Sequence, residues 1–173
     1  MKTLKEYTQA LHDAIEKSEL SQLIFSGKIS KKQWDLYVFQ KYVIYSALEE
    51  KAQLPETLQV SKKLGLDCSG LPRSLCVNTA KYIQHINTTS DNDVWGHIYV
   101  QYLGELYGGQ VLKQMIPYSN KTHMDFDNRQ DDIAFVRNKL DGKHEELGPE
   151  AQLAFKFMMD IQDEIFACTT RSS

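Results

Sequence analysis

Apolar positions recur at three- and four-residue intervals along most of the chain, the pattern of helices that each bury one stripe. Leu4, Tyr7, Leu11 and Ile15 form the first stripe, and Thr3-Leu4-Lys5-Glu6 reads as a capping box, with Thr3 as N-cap and Glu6 at N3. An apolar run from Leu20 to Phe25 ends in the turn Ser26-Gly27-Lys28. Ser30-Lys31-Lys32-Gln33 repeats the capping-box pattern and opens a helix to about Ala52, dense in aromatics (Trp34, Tyr37, Phe39, Tyr42, Tyr45). Pro55 suits a first helical position, which predicts a short helix to about Leu64. Gly65, Gly70 and Pro72 then mark a loop, and a helix is expected from about Arg73 to Ile86. A long periodic run from about Asp91 to Ile116 stops at Pro117, and Ser119 to Arg129 reads as a polar surface loop. The helical period resumes over Phe126 to Leu140 through Ile133, Val136 and Leu140. Gly148-Pro149-Glu150 looks like a helix start, leading into a last helix to about Cys168 with Leu153, Phe157, Ile161 and Ile165 on one stripe. No segment alternates like a strand. The expected fold is all-α: a single-domain bundle of six to eight helices over residues 1–173, with the last few residues disordered.

One stretch resists this simple reading. Gly104, Gly108 and Gly109 fall inside the run that carries Val94, Ile98, Tyr102, Leu103, Leu106 and Val111. Each interior glycine costs a helix roughly 1 kcal/mol relative to alanine. Glycine also removes the Cβ, so that a ligand or another helix can lie against bare backbone, or the helix can kink. A helix break, a close helix contact and a flat ligand all account for the pattern.

Composition narrows the function classes. A chain of 173 residues with 42% hydrophobic and 25% charged residues is ordinary for a soluble globular protein. A formal charge of −3 argues against a nucleic-acid binder. The N-terminus runs straight into a polar amphipathic segment, which predicts no leader, and no run approaches the ~20 apolar residues that span a bilayer. The tail from Ala167 to Ser173 is short and polar, so no membrane anchor is expected and a cytoplasmic location is. Cys68, Cys76 and Cys168 have no CxxC spacing, which suggests reduced thiols with neither a disulfide framework nor a zinc site.

The chemistry-bearing residues are sparse. His12 and Glu16 are i,i+4 neighbours beside the first stripe. A histidine oriented by a carboxylate is a sound metal-ligand arrangement, though the same pair also suits a solvated helix face. A di-iron carboxylate centre would need Glu-x-x-His pairs, and none occurs. No nucleophile elbow or phosphate loop is present, since both follow a strand. What remains is an imidazole on the first helix and a bare glycine surface at 104–109, between which a flat iron-bearing cofactor would fit.

At these residues the chain resembles the haem oxygenase family. The resemblance is carried by Tyr102-Leu103-Gly104-Glu105-Leu106-Tyr107-Gly108-Gly109-Gln110-Val111-Leu112-Lys113, which is similar to that family's distal-helix signature. Leu4-Lys5-Glu6-Tyr7-Thr8-Gln9-Ala10-Leu11-His12 matches the segment holding its proximal ligand, and Ile44-Tyr45-Ser46-Ala47-Leu48-Glu49-Glu50 is a third match. The short tail looks like the soluble microbial members. The resemblance implies haem b as both cofactor and substrate, opened to biliverdin (the alpha isomer by default), carbon monoxide and ferrous iron with dioxygen and external electrons. A ferredoxin or other reductase would supply the electrons, and a bilin reductase would be a candidate partner downstream.

Carried over residue by residue, the resemblance makes His12 the axial ligand of the haem iron, Glu16 the carboxylate behind it and Ile15 a neighbouring contact. Gly104 and Gly108 become the backbone over the distal face, and Tyr45 a member of the distal hydrogen-bond network. Lys5, Tyr99 and Arg137 become propionate partners, and Phe157, with Asp160, a residue of the last helix at the pocket. Three positions depart from the family pattern. Glu105 stands where Asp is usual, and that carboxylate organises water beside the reacting oxygen. Gln101 stands where many members have Arg, and Ile133 where a second propionate-binding Lys is common. A haem carrier or sensor without turnover, and a relative of the same fold that binds no haem, are the competing readings.

Overall fold

Both capping boxes form, and they set where two of the helices begin. In this computed structural model, which describes residues 1–170, Thr3 and Ser30 each accept from the N3 amide while Glu6 and Gln33 reach back to the cap. Each such cap contributes about 1 kcal/mol. Among the described residues nine α-helices follow in order: α1 Leu4–Glu16, α2 Glu19–Phe25, α3 Lys31–Lys51, α4 Ser61–Asp67, α5 Val77–Thr88, α6 Val94–Leu106, α7 Gly108–Met115, α8 Arg129–Leu140 and α9 His144–Thr170. Two single 3₁₀ turns, Glu56–Leu58 and Thr122–Met124, lie between them, and no strand occurs among the described residues. Positions 171–173, the end of the tail expected to be disordered, lie outside the described residues.

α9 is the spine. It packs against α1, α2, α3, α5 and α6, with Leu147, Ala151, Ala154, Met158, Ile161 and Ile165 buried along it. Two glycines permit its closest approaches. A Cβ at Gly148 would sit 2.7 Å from the Tyr7 ring, and one at Gly96 would sit 2.8 Å from the Glu150 Cβ and 2.9 Å from the Ala151 amide nitrogen. α1 is further pinned by the Leu4 amide donating to His144 Nδ1 at 2.9 Å and by Gln152 donating to the Tyr7 carbonyl at 2.9 Å. One contiguous apolar core joins these helices, with Trp34, Tyr45, Tyr82 and Tyr102 among its fully buried side chains.

Several boundaries differ from the sequence expectation. Pro55 precedes a 3₁₀ turn, and the helix proper starts at Ser61, where the Glu49 carboxylate caps the Val60 and Ser61 amides at 3.1 Å. That cap comes from α3 and is invisible locally. The helix expected from Arg73 begins at Val77, because the Glu164 carboxylate of α9 takes the Val77 and Asn78 amides at 2.8 and 2.9 Å. α8 starts at Arg129, three residues later than expected. The last helix starts at His144, not at Gly148, and holds Pro149 inside it. Proline at the sixth position removes the one intrahelical bond its amide would give the Glu145 carbonyl and crowds that carbonyl with its ring, a cost confined to the first turns of a 27-residue helix. The glycine-bearing run is not one helix: it breaks between α6 and α7 at Tyr107, with φ −105° and ψ −82°.

Candidate functional site

α1 and the α6–α7 pair are held apart by α9, and α2 bridges α1 and α7. Between them lies a cleft of about 830 Å³, within the ~300–1,000 Å³ range of cofactor sites. Its lining is mainly apolar, and it takes in side chains from α1, α2, α3, α6, α7, α8 and α9. Phe25, Tyr107 and Val111 line it while remaining 40%, 42% and 58% exposed, so apolar surface is left open to a ligand.

On α1 the lining residues are Lys5, Thr8, Gln9, His12, Ile15 and Glu16. The helical period puts His12 one turn after Thr8 and one before Glu16, which is why the three share a face. The His12 side chain is half exposed. Its ring meets Phe155 of α9 edge-on, at 6.0 Å between centroids and 84° between planes. The carboxylate contact falls on Nε2, 3.5 Å from Glu16 Oε1, while Nδ1 lies 3.8 Å from Asp13 Oδ1. Glu16 holding Nδ1, with Nε2 free for an iron, therefore requires a turn of the ring. Lys5 is exposed at the rim with no ion-pair partner among the described residues.

The glycines of the facing wall divide into two kinds. Gly104 and Gly108 open on the cleft, and a Cβ at either would meet nothing within 4 Å. Their bareness adds room to the cleft. Gly109 is buried, and a Cβ there would sit 2.8 Å from Glu105 Oε2. It makes room for the carboxylate.

Glu105 is buried and leads inward to a polar chain. Its Oε1 is ion-paired with the Lys41 ammonium. Lys41 Nζ lies 2.9 Å from His123 Nε2, and His123 Nδ1 lies 2.7 Å from Asp67 Oδ2. The Asp67 carboxylate also accepts from the Thr122 and His123 amides and the Thr122 hydroxyl, at 3.2, 2.9 and 2.7 Å. Burial pushes the Glu105 carboxyl up, but the Lys41 cation, with smaller help from His123 and hydrogen bonds, brings it below its usual value. Burial and then Lys41 push the His123 imidazole down. Glu105 Oε2 has no hydrogen-bond partner. Tyr45 does not line the cleft; it lies behind α6, donates to the Gln101 carbonyl at 2.7 Å and packs on the Tyr102 ring at 4.8 Å. Burial, then Glu105, push its hydroxyl well above the usual tyrosine value.

Of the other expected residues, Tyr99 and Arg137 line the cleft, and Arg137 donates to the Tyr107 hydroxyl at 2.9 and 3.2 Å. Gln101 is buried, with its amide 3.4 Å from the Tyr82 hydroxyl, and Ile133 is a core residue. Phe157 is a correction. It stacks on Tyr82 at 4.7 Å and 9° and lies 5.4 Å from His85, away from the cleft, and Phe155 takes the place against His12. A shift of two residues turns a side chain through about 200° on a helix, so the neighbouring register selects the opposite face. Asp160 is exposed and does not line the cleft. Lys41, His123 and Asp67 had not been expected. Only Lys41 leaves a trace in the sequence, as the one cation between Trp34 and Tyr45 on an aromatic helix.

With this geometry in view, known proteins can be compared. The family model described as "Heme oxygenase" matches residues 1–65 and 72–164. Heme oxygenase 2 of Oryctolagus cuniculus is 26% identical over 201 residues, covering 94% of this chain and 64% of that protein. The chain thus spans under two thirds of the length of that mammalian relative. Heme oxygenase of Rhodella violacea is 23% identical, covering 94% of this chain and 85% of that protein. Among solved structures, heme oxygenase-1 of the cyanobacterium Synechocystis sp. PCC6803, in complex with heme, superposes with a TM-score of 0.85 at 20% identity, covering 98% of this chain and 93% of that one. Heme oxygenase of Leptospira interrogans superposes with a TM-score of 0.78 at 23% identity, covering 93% and 97%. The family match covers well over half of the chain, and the chain belongs to the haem oxygenase family.

Proposed function

We propose that the chain is a haem oxygenase that opens haem b oxidatively to biliverdin, the alpha isomer by default, releasing carbon monoxide and ferrous iron. Dioxygen is the oxidant and an external donor, a ferredoxin or other reductase, supplies the electrons. The observation that carries this reading is the pairing across one cleft: a half-exposed imidazole, His12, on α1, and two glycines, Gly104 and Gly108, whose missing side chains leave the facing wall open. The residues fit the group. The cleft is apolar and deep enough for a macrocycle, it offers a single imidazole ligand, and its rim carries the cations Lys5 and Arg137 and the Tyr99 hydroxyl for two propionates.

Bound haem supplies the iron at which dioxygen is reduced and the meso carbon that is oxidised. The chain's own residues bind, orient and exclude. His12 would hold the iron, Glu16 would orient its ring once the ring has turned, and Ile15 and Phe155 would pack beside it. Gly104 and Gly108 leave bare backbone on the facing wall, where a side chain would take up room that the macrocycle and its oxygen need. Glu105 presents an ionised carboxylate at that face, and Tyr45 braces α6 by holding the Gln101 carbonyl. Of the cations Lys2, Lys5, Lys113 and Arg137, candidates for docking an acidic electron donor, Lys5 and Arg137 line the cleft, while Lys113 is paired with Asp125 at 2.9 Å.

The deciding experiment is anaerobic hemin titration followed by reductant and oxygen, with the bilin isomer identified. A histidine-ligated band that His12→Ala removes, then a bilin product, is the expected result. A stable oxygen complex with no bilin would instead mark a carrier or sensor, and no histidine-ligated band would mark a relative that binds no haem.

A further inference from the structure

Ion pairs sealed inside a protein roughly break even against apolar residues of the same volume, so stability alone is a weak reason to keep one. Here the pair is sealed and elaborated. The Lys41 and Glu105 side chains are 6% and 10% exposed. An ammonium can only donate, so His123 accepts at Nε2, and its own proton therefore sits on Nδ1 and goes to Asp67. Asp67 is fixed in turn by three donors from Thr122 and His123. The Lys41 ammonium also lies 5.7 and 5.5 Å from the Trp34 and Tyr37 ring centres. Everything about this lysine is held in place from behind.

At the front of the chain the arrangement stops being complete. Lys41 takes one oxygen of Glu105 and leaves the other, Oε2, buried beside Gly109 at the cleft wall without a hydrogen bond, the Tyr45 hydroxyl near the carboxyl being committed to the Gln101 carbonyl at 2.7 Å. A carboxylate oxygen buried without a donor is costly unless a ligand-side group satisfies it.

We propose, building on the haem oxygenase reading, that Lys41 is a positioning residue of the distal wall. Anchored by His123 and Asp67, it holds the long Glu105 side chain in one orientation, with Oε2 free to accept a hydrogen bond from water bound beside haem. Lys41 thereby does for a glutamate what a shorter side chain would do by length alone. The titratable groups that face Glu105 are Lys41, Tyr37 and Tyr45 from α3 and His123 from the turn before α8. Burial holds both tyrosines in the protonated form and His123 in the neutral form, which leaves Lys41 as the charge that opposes Glu105.

The test is made on the full chain loaded with hemin, by following the ferric absorption spectrum against pH through the water-to-hydroxide transition at the open iron position. Lys41→Met leaves a buried carboxyl without its cation. Glu105 then takes up a proton, the anionic acceptor is lost, and the midpoint falls by about one pH unit. Lys41→Arg restores part of the shift. In a Glu105→Asp background Lys41→Met moves the midpoint less, because the shorter carboxylate reaches Lys41 less well. An unchanged midpoint in Lys41→Met, with hemin bound through His12, overturns the proposal and leaves the haem oxygenase reading intact. Absence of the His12-dependent band in the parent chain strikes that reading instead. Should Lys41→Met fail to fold, Lys41→Arg and Glu105→Asp carry the test: midpoints equal to the parent's in both overturn it.

Discussion

The two walls of the cleft are built on opposite principles. The α1 wall presents a histidine that is half exposed, with its nearest carboxylates 3.5 and 3.8 Å away and one edge-on aromatic neighbour. The α6–α7 wall presents a buried carboxylate tied through Lys41 and His123 to Asp67, with bonds of 2.7–2.9 Å along the chain behind it. One wall has few constraints until a ligand arrives. The other is organised beforehand. In the proposed haem complex the bond to iron would hold the imidazole nitrogen, and the protein would have only the ring orientation left to set, through Glu16. Directing oxygen to one carbon requires polar groups already aimed, because reorganising them during reaction would cost rate.

If that contrast is right, the largest effect belongs to His12. His12→Ala should abolish the histidine-ligated absorption band and bilin formation, and added imidazole should restore part of both by entering the half-open space. An unaltered band would move the ligand elsewhere. Next comes the facing wall: Gly104→Leu places a side chain where the present one has nothing within 4 Å. The His12–iron signature should persist in the ferric spectrum while bilin formation drops by about 10²-fold, the scale expected when reacting groups are displaced by about an ångström. Loss of both signals together would mean that the two walls are not independent.

The same contrast explains what the sequence could and could not show. His12, Glu16 and Lys5 are joined by helical spacing alone, so a local reading finds them together. Gly104 and Gly108 announce themselves because glycine is costly in a helix. The family signature, not spacing, supplied Tyr45 and Arg137. Lys41, His123 and Asp67 meet across 82 and 56 residues of sequence, through three different elements, and no local pattern connects them. The starts of α4 and α5 were missed for the same reason, since Glu49 and Glu164 cap them from distant helices. Phe157 failed differently: its helix was foreseen, but a two-residue register error faces the wrong neighbour.

A smaller effect separates the cleft from the frame that holds it. Gly96 sits where α6 presses on α9, and a Cβ there would lie 2.8 to 3.0 Å from the Glu150 Cβ, the Ala151 amide nitrogen and the Leu147 carbonyl. Two of these are backbone atoms that cannot swing aside. Gly96→Ala should therefore cost about 1–3 kcal/mol, as overpacked cores do, which in a chain of this size lowers Tm by about 2–4 °C per kcal/mol. Hemin affinity should change little at temperatures where the variant is folded. A large loss of affinity with unchanged Tm would instead show that Gly96 shapes the distal wall directly.

The subtlest separation is by pH. Glu150 Oε2 accepts from His85 Nε2 at 2.8 Å and from His97 Nε2 at 2.6 Å, and the Tyr82 hydroxyl lies 3.0 Å from His97 Nδ1. These contacts tie α5, α6 and α9 together without using a residue of the cleft. The hydrogen bond from His97, opposed by burial and helped by His85, brings the Glu150 carboxyl from its usual 4.5 to about 2. A carboxyl depressed on folding stabilises the native state above its unfolded pKa, and that contribution drains away as the pH falls toward the folded value. His97, pushed down chiefly by burial, acts in the same direction, beginning below its ordinary 6.5. Unfolding free energy should thus decline between about pH 4.5 and 2, and Glu150→Gln should flatten that decline while reducing stability at neutral pH. Urea unfolding monitored across this range checks it. Parallel pH profiles for parent and variant would place the acid sensitivity elsewhere, and Glu105 and Asp67, the other two depressed carboxyls, would be the groups to substitute next.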